Sequence, residues 1–274
     1  MEKKPIVILD EGFQGINIFK GLSEIYKNED FVYVNDYLNY PYEGKEEEVI
    51  NKYVKEKIEF IKMLNVKALI IVNSAIIEYC DNYLQNLKLP LVRIDEAIIS
   101  YIASEYEQKN IALVAPESII KANIYQKNFK YNHLYAIFSD ELEKVVMDKK
   151  VKTALSFSKM REAVKFILNK EVDIFLMVDS IIENLYTEIH EYINTGKMSS
   201  MTEVIDLSLK HKNICNNTKG RGKRYIYSDL EKKEFMEKAY FFNMKCDYEL
   251  IENKKQEIIK KQEKQKAKEL KKQK

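Results

Sequence analysis

Polar residues follow several short apolar runs of this sequence, at the points where the runs end. They are Asp10-Glu11-Gly12, Asp36, Asn73-Ser74, Asp95-Glu96, Ala115-Pro116-Glu117 and Asp179-Ser180. Asp, Asn and Ser are preferred at helix N-caps, so helix capping explains any one of them taken alone. Capping does not exclude ligand binding, because the free N–H groups at a helix N-terminus also favour anions. The residues therefore indicate helix caps, a polar ligand site, or both.

The carboxylates among these residues offer acid–base chemistry. If Asp10, Glu11 and Asp179 lie close together, they perturb one another's pKa and can act as an acid/base pair. Carboxylates alone can also bridge a hard cation, although no ligand spacing in the sequence predicts a metal site. Three widely spaced cysteines form neither a CxxC motif nor a His/Cys cluster, which argues against a disulfide framework and against a zinc site. They are Cys80, Cys215 and Cys246.

The elements that position these residues alternate between strand and helix. Short β-branched runs predict strands at 5–10, 31–36, 67–72, 90–95, 110–115, 133–138 and 172–178. Segments of helical period lie at 45–64, 75–87, 117–129 and 157–169. The strands are continuously apolar, which is typical of strands buried on both faces in parallel sheets. Ligands bind such sheets at the carboxyl ends of the strands, where the polar residues stand.

Composition limits the class of protein. The chain has 274 residues, of which 46% are hydrophobic, so it is long enough for two modest domains with real cores. The net charge of +2 conceals a basic tail, because residues 254–274 carry +7 and the rest about −5. The first apolar run is too short for a signal peptide, and none reaches transmembrane length. We therefore expect a cytoplasmic protein without a membrane partner.

In chain order, the strand ends resemble motifs of the cofactor-independent glutamate racemases of the aspartate/glutamate racemase superfamily. Residues 10–15, DEGFQG, match the opening D-S-G-x-G-G, and residues 36–43, DYLNYPYE, match D-x-x-R/N-x-P-Y-G. Residues 72–75, VNSA, stand where the family has C-N-T-A, and residues 178–183, VDSIIE, stand where it has G-C-T-H-Y-P. Weaker matches at 204–208 and 225–235 extend the resemblance over residues 5–245.

The resemblance implies an α/β fold of two pseudo-symmetric α/β domains, with mostly parallel sheets, an inter-domain cleft and a charged C-terminal helical tail. The implied first domain comprises residues 1–95 with 209–250, the second 96–208, and the Lys/Glu/Gln-rich tail 251–274. Family members use no cofactor, bind a small amino acid or carboxylate ligand and are often homodimers, so the same is expected here. A nucleic-acid contact by the basic tail is a less favoured expectation.

The resemblance also assigns residue roles. Two family cysteines move the Cα proton, one on each face of the substrate, and their positions here are Val72 and Asp179. Asp10 keeps the position of an aspartate that assists the first cysteine, whereas Ile181 replaces a helper histidine. The implied substrate-binding positions are Glu11, Tyr42, Asn73, Ser74 and Ser180. Segment 114–125 matches a family motif through either Tyr125 or Pro116, so no site residue is assigned there.

Three functional hypotheses follow from these roles. The favoured one is a catalytically inactive family member that keeps a small-ligand or partner-binding role, since valine cannot carry a proton. The first alternative is an active glutamate or aspartate racemase with altered acid/base residues. The second is a lyase or isomerase that uses Asp10, Glu11 and Asp179. Glutamate racemases supply D-glutamate for peptidoglycan, but a chain without the cysteines cannot be assigned that pathway.

Overall fold

The computed structural model describes residues 3–193 and 196–272, with side chains described up to Glu269. The strands are β1 Ile6–Asp10, β2 Phe31–Asn35, β3 Ala68–Ile71, β4 Leu91–Arg93, β5 Lys109–Ala115, β6 Tyr131–Phe138, β7 Ile174–Met177, β8 Lys197–Ser199, β9 Arg224–Ser228 and β10 Asp247–Leu250. The helices are α1 Ile16–Ile25, α2 Glu47–Met63, α3 Ser74–Gln85, α4 Ile94–Glu105, α5 Glu117–Lys121, α6 Asp140–Met147, α7 Ala154–Val164, α8 Tyr186–Tyr192, α9 Met201–His211, α10 Lys232–Lys238 and α11 Ile251–Lys272. Short 3-10 helices cover Tyr37–Asn39, Gln126–Asn128 and Ser180–Leu185.

A six-stranded sheet has the order β10-β9-β2-β1-β3-β4, and all of its strand pairs are parallel. Its central strand β1 is fully buried, as its unbroken run of aliphatic residues predicts. Asp10 pairs with Asn35 at the end of β2, and Leu9 pairs with Ile71 at the end of β3. The register therefore places the polar residues after β1, β2 and β3 at one edge of the sheet.

A four-stranded sheet has the order β6-β5-β7-β8 and is also parallel throughout. Val114 of β5 pairs with Met177 of β7, so Pro116 and Asp179 follow neighbouring strands at the same edge. Two parallel sheets covered by helices confirm the predicted fold class. The strands of the first sheet come from 6–93 and 224–250 and those of the second from 109–199, while the predicted domain boundaries stay a prediction.

Helix α9, which follows the last strand of the four-stranded sheet, packs against α1 and α4. The approach to α1 is close. A Cβ added at Gly21 would lie only 2.4 Å from Oγ1 of Thr202, so glycine is required at this helix crossing. A second link is a hydrogen bond of 2.6 Å that the Tyr26 hydroxyl donates to Asp206.

Two helix predictions were wrong in extent. The helix predicted at 117–129 ends at Lys121, because Asn123 adopts a left-handed conformation with φ +55° that asparagine tolerates and a helix does not. The helix predicted at 157–169 runs over 154–164 instead. Its earlier start follows from a capping box that Thr153 and Ser156 form. The short edge strands β8 and β10 were missed because their sequences are not apolar runs.

The charged tail is helical, as predicted. Helix α11 begins at the buried Ile251 and runs to Lys272, and the side chains described beyond Ile259 are exposed. Among the described residues, no helix is long and apolar enough to span a membrane.

Candidate functional site

Asp10 closes the loop between β1 and α1. Its carboxylate accepts hydrogen bonds from the backbone N–H groups of Gly12 and Gly15, at 3.1 and 2.7 Å, and from the hydroxyl of Tyr33 at 2.6 Å. Burial raises the pKa of Asp10, and these hydrogen bonds oppose the rise. Both oxygens are occupied within the protein, so this side chain fixes the loop.

Val72 lies beside this loop. A Cβ added at Gly15 would lie 2.5 Å from Cγ2 of Val72 and 3.3 Å from Oδ2 of Asp10. Asp10 and Val72 are therefore neighbours, and Gly15 leaves the space between them. An isopropyl group, which exchanges no protons, stands next to the aspartate.

Glu11 is buried at the same edge. One of its carboxylate oxygens accepts from the side-chain amide of Asn73 at 2.7 Å, and the other accepts from the backbone N–H of Tyr42. Burial raises the pKa of Glu11 to about 8, and the nearby carboxylates of Asp10 and Asp36 add to the rise. A carboxyl group that changes protonation near neutral pH therefore lies at the end of the first strand.

Asn73 acts both as a helix cap and as a partner of Glu11. Its side-chain oxygen accepts from the N–H groups of Ala75 and Ile76, at 2.9 and 3.2 Å, which is N-capping of α3. Its amide nitrogen donates to Glu11 and, at 3.0 Å, to Gln14. Capping thus consumes two of the N–H groups that would otherwise be free to bind an anion.

Asp179 is the corresponding residue at the edge of the second sheet. It is 4% exposed, and its Oδ1 accepts from the N–H of Ile181 at 3.0 Å, while its Oδ2 is buried without a hydrogen-bond partner. Burial raises the pKa of Asp179 well above its ordinary value, and the negative charge of Glu143 raises it further. Unpaired buried oxygens are uncommon because each costs free energy.

Two predicted binding residues make other contacts. The Ser180 hydroxyl donates to the backbone oxygen of Gln14, and Asn17 donates to the backbone oxygen of Ser180 at 2.8 Å. These bonds tie the two strand edges together. The Tyr42 hydroxyl donates to Asp36 at 2.5 Å, and Asp36 also pairs with Lys57 at 2.9 Å.

A cavity of about 110 Å³ lies between the two strand edges. It is lined by Glu11, Gln14, Glu43, Val72, Asn73, Ser74, Ala75, Glu78, Tyr79, Pro116, Ser118, Ile119, Val178 and Asp179. Five predicted site positions therefore meet at one cavity. Three others, Asp10, Tyr42 and Ser180, are buried and bonded elsewhere, outside its lining.

Sequence reasoning missed several lining residues. Gln14 lies inside the motif at 10–15, but a neutral glutamine where the family motif has glycine gives no signal of a site. Glu78 stands four residues after Ser74 on α3, and that spacing on one helix face is a signal that could have found it. Segment 114–125, left without an assigned residue, supplies Pro116, Ser118 and Ile119 to the lining. Tyr125 of the same segment lies outside the lining, and its hydroxyl is 3.2 Å from the Ser74 hydroxyl.

The cysteines lie elsewhere. Cys80 is buried in the core, as predicted for a packing residue, and burial raises the pKa of its thiol to about 11. Burial likewise raises the pKa of Cys215 to about 12 and of Cys246 to about 11. The described residues that line the cavity include no cysteine, and they contain no group of three or more His, Cys, Asp or Glu side chains placed to hold a metal ion.

Known proteins resemble this chain along most of its length. It is 24% identical over 254 residues to "Glutamate racemase 1" of Caldanaerobacter subterraneus, which covers 87% of this chain and 92% of that protein. It is 22% identical to the glutamate racemase of Hydrogenobaculum sp., with coverage of 90% and 96%. No family model matches the sequence.

The fold is also that of solved glutamate racemases. The crystal structure of the Thermus thermophilus glutamate racemase, in complex with β-chloro-D-alanine, gives a TM-score of 0.76 at 16% identity and covers 90% of this chain and 96% of that one. A glutamate racemase isoform of Bacillus anthracis gives 0.76 at 20% identity, with coverage of 91% and 98%. The Francisella tularensis glutamate racemase, in complex with D-glutamate, gives 0.74 at 18% identity, with coverage of 91% and 97%.

Proposed function

Because the chain belongs to the glutamate racemase family, we propose that it is a member that no longer racemises amino acids and keeps its cleft for a small ligand. The observation that carries this proposal is the wall of the cavity. Val72 stands where the resemblance puts the first catalytic cysteine, and the described lining contains no thiol. Racemisation needs a proton carrier on each face of Cα, and valine supplies none.

The remaining acid–base groups do not replace the missing pair. Asp179 can exchange a proton and lines the cavity, but it serves one face only. Asp10 is enclosed by three hydrogen-bond donors and lies outside the lining. The three thiols have raised pKa values, so the thiolate that would attack a Cα proton is scarce at neutral pH. Glu11 also lines the cavity, but both of its oxygens already accept hydrogen bonds, from Asn73 and from the N–H of Tyr42. Proton transfer across the substrate therefore lacks a free second partner.

The kept features support a ligand role. A family member without any binding role has no need for a cavity between the two strand edges, yet one is present and lined by Asn73 and Ser74.

A second candidate function is lyase or isomerase chemistry. One observation favours it, namely that burial raises the pKa values of two carboxyl groups, Glu11 and Asp179, that line the same cavity. Carboxyl groups with raised pKa values can serve as an acid and a base near neutral pH. Asp10, the third carboxylate of the original hypothesis, lies outside the lining.

Proton exchange tests the proposal. Purified protein is incubated for a day with L- or D-glutamate, and separately with L- or D-aspartate, in heavy water, and the Cα proton signal is followed by NMR. An active glutamate racemase is the positive control. We expect no Cα deuterium above the protein-free sample, whereas exchange at Cα would show an active racemase. New product signals without exchange would favour the second candidate.

A further inference from the structure

A second cavity, of about 250 Å³, lies at the edge of the six-stranded sheet opposite the cleft. Its lining includes the residues just before β1, β2 and β9, so it lies at the amino ends of the parallel strands. Five lysines from three distant parts of the chain line it, namely Lys3, Lys4, Lys223, Lys254 and Lys261. None of them lines the cleft, so this cavity is separate from the site of the proposed function.

Most of this positive charge is not neutralised within the described residues. The single carboxylate of the described lining, Asp30, accepts the backbone N–H of Lys223 at 2.8 Å. Lys3 donates to two backbone carbonyl oxygens, at 2.5 and 3.0 Å, which hold its ammonium group at the wall without cancelling its charge. The side chains of Lys4 and Lys223 make neither a hydrogen bond nor an ion pair with any described residue. Three ammonium groups therefore keep their charge for a ligand.

Helix α11 continues the row of lysines into solvent. Lys254 and Lys261 share one carboxylate, that of Glu257, at 2.7 and 2.5 Å. Lys268 follows seven residues after Lys261, and residues seven apart lie on nearly the same face of a helix. The described side chains beyond Ile259 are exposed. At about 1.5 Å per residue, the row from 254 to 268 is about 20 Å long. The cavity and this row together form one basic surface.

The shape of the basic surface favours a nucleic acid over a membrane. Lysines spaced along a row suit the repeated phosphates of a nucleic-acid backbone. A helix that lies on a membrane needs a face of bulky apolar residues, whereas residues 260–272 contain only Ala267 and Leu270 as apolar residues. Outside residues 254–274 the chain carries about −5, so the attraction for a polyanion is concentrated on this surface.

Two tyrosine rings in the cavity wall favour a single strand. Tyr225 and Tyr227 lie side by side on β9, with ring centroids 6.0 Å apart and planes within 3° of each other. Nζ of Lys254 lies 5.9 Å from the ring centroid of Tyr227, whereas Tyr225 is half-buried. The bases of a single strand can stack on an aromatic ring, and the paired bases of a duplex are not free to do so.

From these features we propose that the basic surface binds single-stranded nucleic acid. Its phosphates contact the free ammonium groups of the cavity and the lysine row of α11, and a base stacks on Tyr225. This binding role goes beyond the proposed function, because it uses the opposite edge of the sheet.

Fluorescence anisotropy tests the inference. A labelled oligouridylate of about 12 nucleotides is titrated with the full-length protein between about 50 and 200 mM NaCl. We expect saturable binding that weakens as salt rises, because phosphate contacts release counterions. Absence of binding at the lowest salt would overturn the inference. Polyglutamate, a duplex of equal length or phosphatidylglycerol vesicles that displaced the oligonucleotide at equal charge concentration would also overturn it.

A matched pair of variants on α11 separates the lysine row from net charge. Lys261→Gln/Lys268→Gln removes two charges from the face of the cavity, and Lys260→Gln/Lys266→Gln removes two from other faces of the same helix. We expect the first variant to weaken binding about tenfold or more, the loss typical of charge-assisted contacts, and the second to weaken it less than about threefold. Equal losses would show an effect of net charge alone and overturn the inference.

Variants in the cavity locate the contact there. Lys4→Gln/Lys223→Gln should weaken binding and lower the steepness of its salt dependence by about 1.4, the value for two phosphate contacts to a single strand. Tyr225→Leu should weaken binding about fivefold without changing that steepness. The matched control is Lys165→Gln/Lys170→Gln, at two exposed lysines in the part of the chain that forms the four-stranded sheet. Unchanged binding in both cavity variants would overturn the inference.

Discussion

The two strand edges that meet at the cleft differ in how their buried carboxyl groups are satisfied. At the edge of the six-stranded sheet, Asp10 accepts three hydrogen bonds and both oxygens of Glu11 accept one each. At the edge of the four-stranded sheet, Asp179 accepts one bond and leaves an oxygen without a partner. The carboxyl oxygens of the first edge are all hydrogen-bonded, whereas one oxygen of the second edge is not.

This difference distinguishes a carboxylate that stabilises the fold from a carboxyl group that contributes less to it. A carboxylate surrounded by donors holds the chain in place, and its loss leaves those donors unsatisfied. A carboxyl group with an unpaired buried oxygen contributes less to the fold, because the desolvation of that oxygen is not offset by a hydrogen bond. Matched substitutions at the two edges can break or sharpen this comparison.

The largest expected effect comes from Asp10→Asn. In either orientation, the new amide group places its NH2 against a backbone N–H, that of Gly12 or of Gly15, so we expect a loss of about 3 kcal/mol in the free energy of unfolding. Asp179→Asn should change it by less than about 1 kcal/mol, because asparagine is an equally good N-cap. Urea denaturation measures both variants, and equal losses at the two positions would contradict the comparison.

The next effect is a dependence on pH. Unfolded Glu11 ionises near 4.5, whereas burial raises its pKa to about 8 in the folded protein. Between these values the unfolded state has lost the proton that the folded state keeps, so the stability contributed by this group is present at low pH and lost as pH rises. Glu11→Gln should reduce the fall in unfolding free energy between pH 5 and pH 8 by about 2 kcal/mol.

Urea denaturation of the wild type and Glu11→Gln at several pH values provides this measurement. Glu162→Gln, at an exposed glutamate on α7, serves as the control and should follow the wild-type pH profile. If Glu11→Gln also follows it, Glu11 is ionised in the folded protein, and the description of the first edge is wrong.

The smallest effect concerns a contact between the edges. Tyr125 is buried and its hydroxyl lies 3.2 Å from that of Ser74, so Tyr125→Phe should cost about 1 kcal/mol of stability. Ser74→Ala should cost a similar amount, and the double variant should cost less than the sum of the two. Strictly additive losses in denaturant melts would show that the two hydroxyls do not interact.

The strands were predictable from the sequence, because strands buried on both faces consist of unbroken apolar runs such as residues 6–9. The resemblance pointed to Val72 and Asp179, and both residues follow strands and line one cavity. The end of α5 was not predictable from periodicity, since it depends on the left-handed conformation of a single residue, Asn123. The edge strand β8 was missed because its three residues do not form an apolar run.

Within the site, the sequence predicted residue types but not which oxygens are occupied. In the sequence, Asp10 and Asp179 are both aspartates that follow a strand. Only the structure shows that Asp10 accepts three hydrogen bonds whereas Asp179 accepts one. The same holds for Tyr42 and Ser180, whose hydroxyls donate to Asp36 and to the backbone of Gln14. Such bonds join residues as far apart as 14 and 180, a separation that local sequence pattern does not report.

The central claim is that the cleft no longer moves a proton across an amino acid. NMR of D- and L-glutamate incubated with the protein in heavy water tests it most directly, beside an active racemase as control. We predict that the Cα proton signal of both enantiomers persists undiminished over a day. Loss of that signal with either enantiomer, at a rate proportional to protein concentration, would contradict the account.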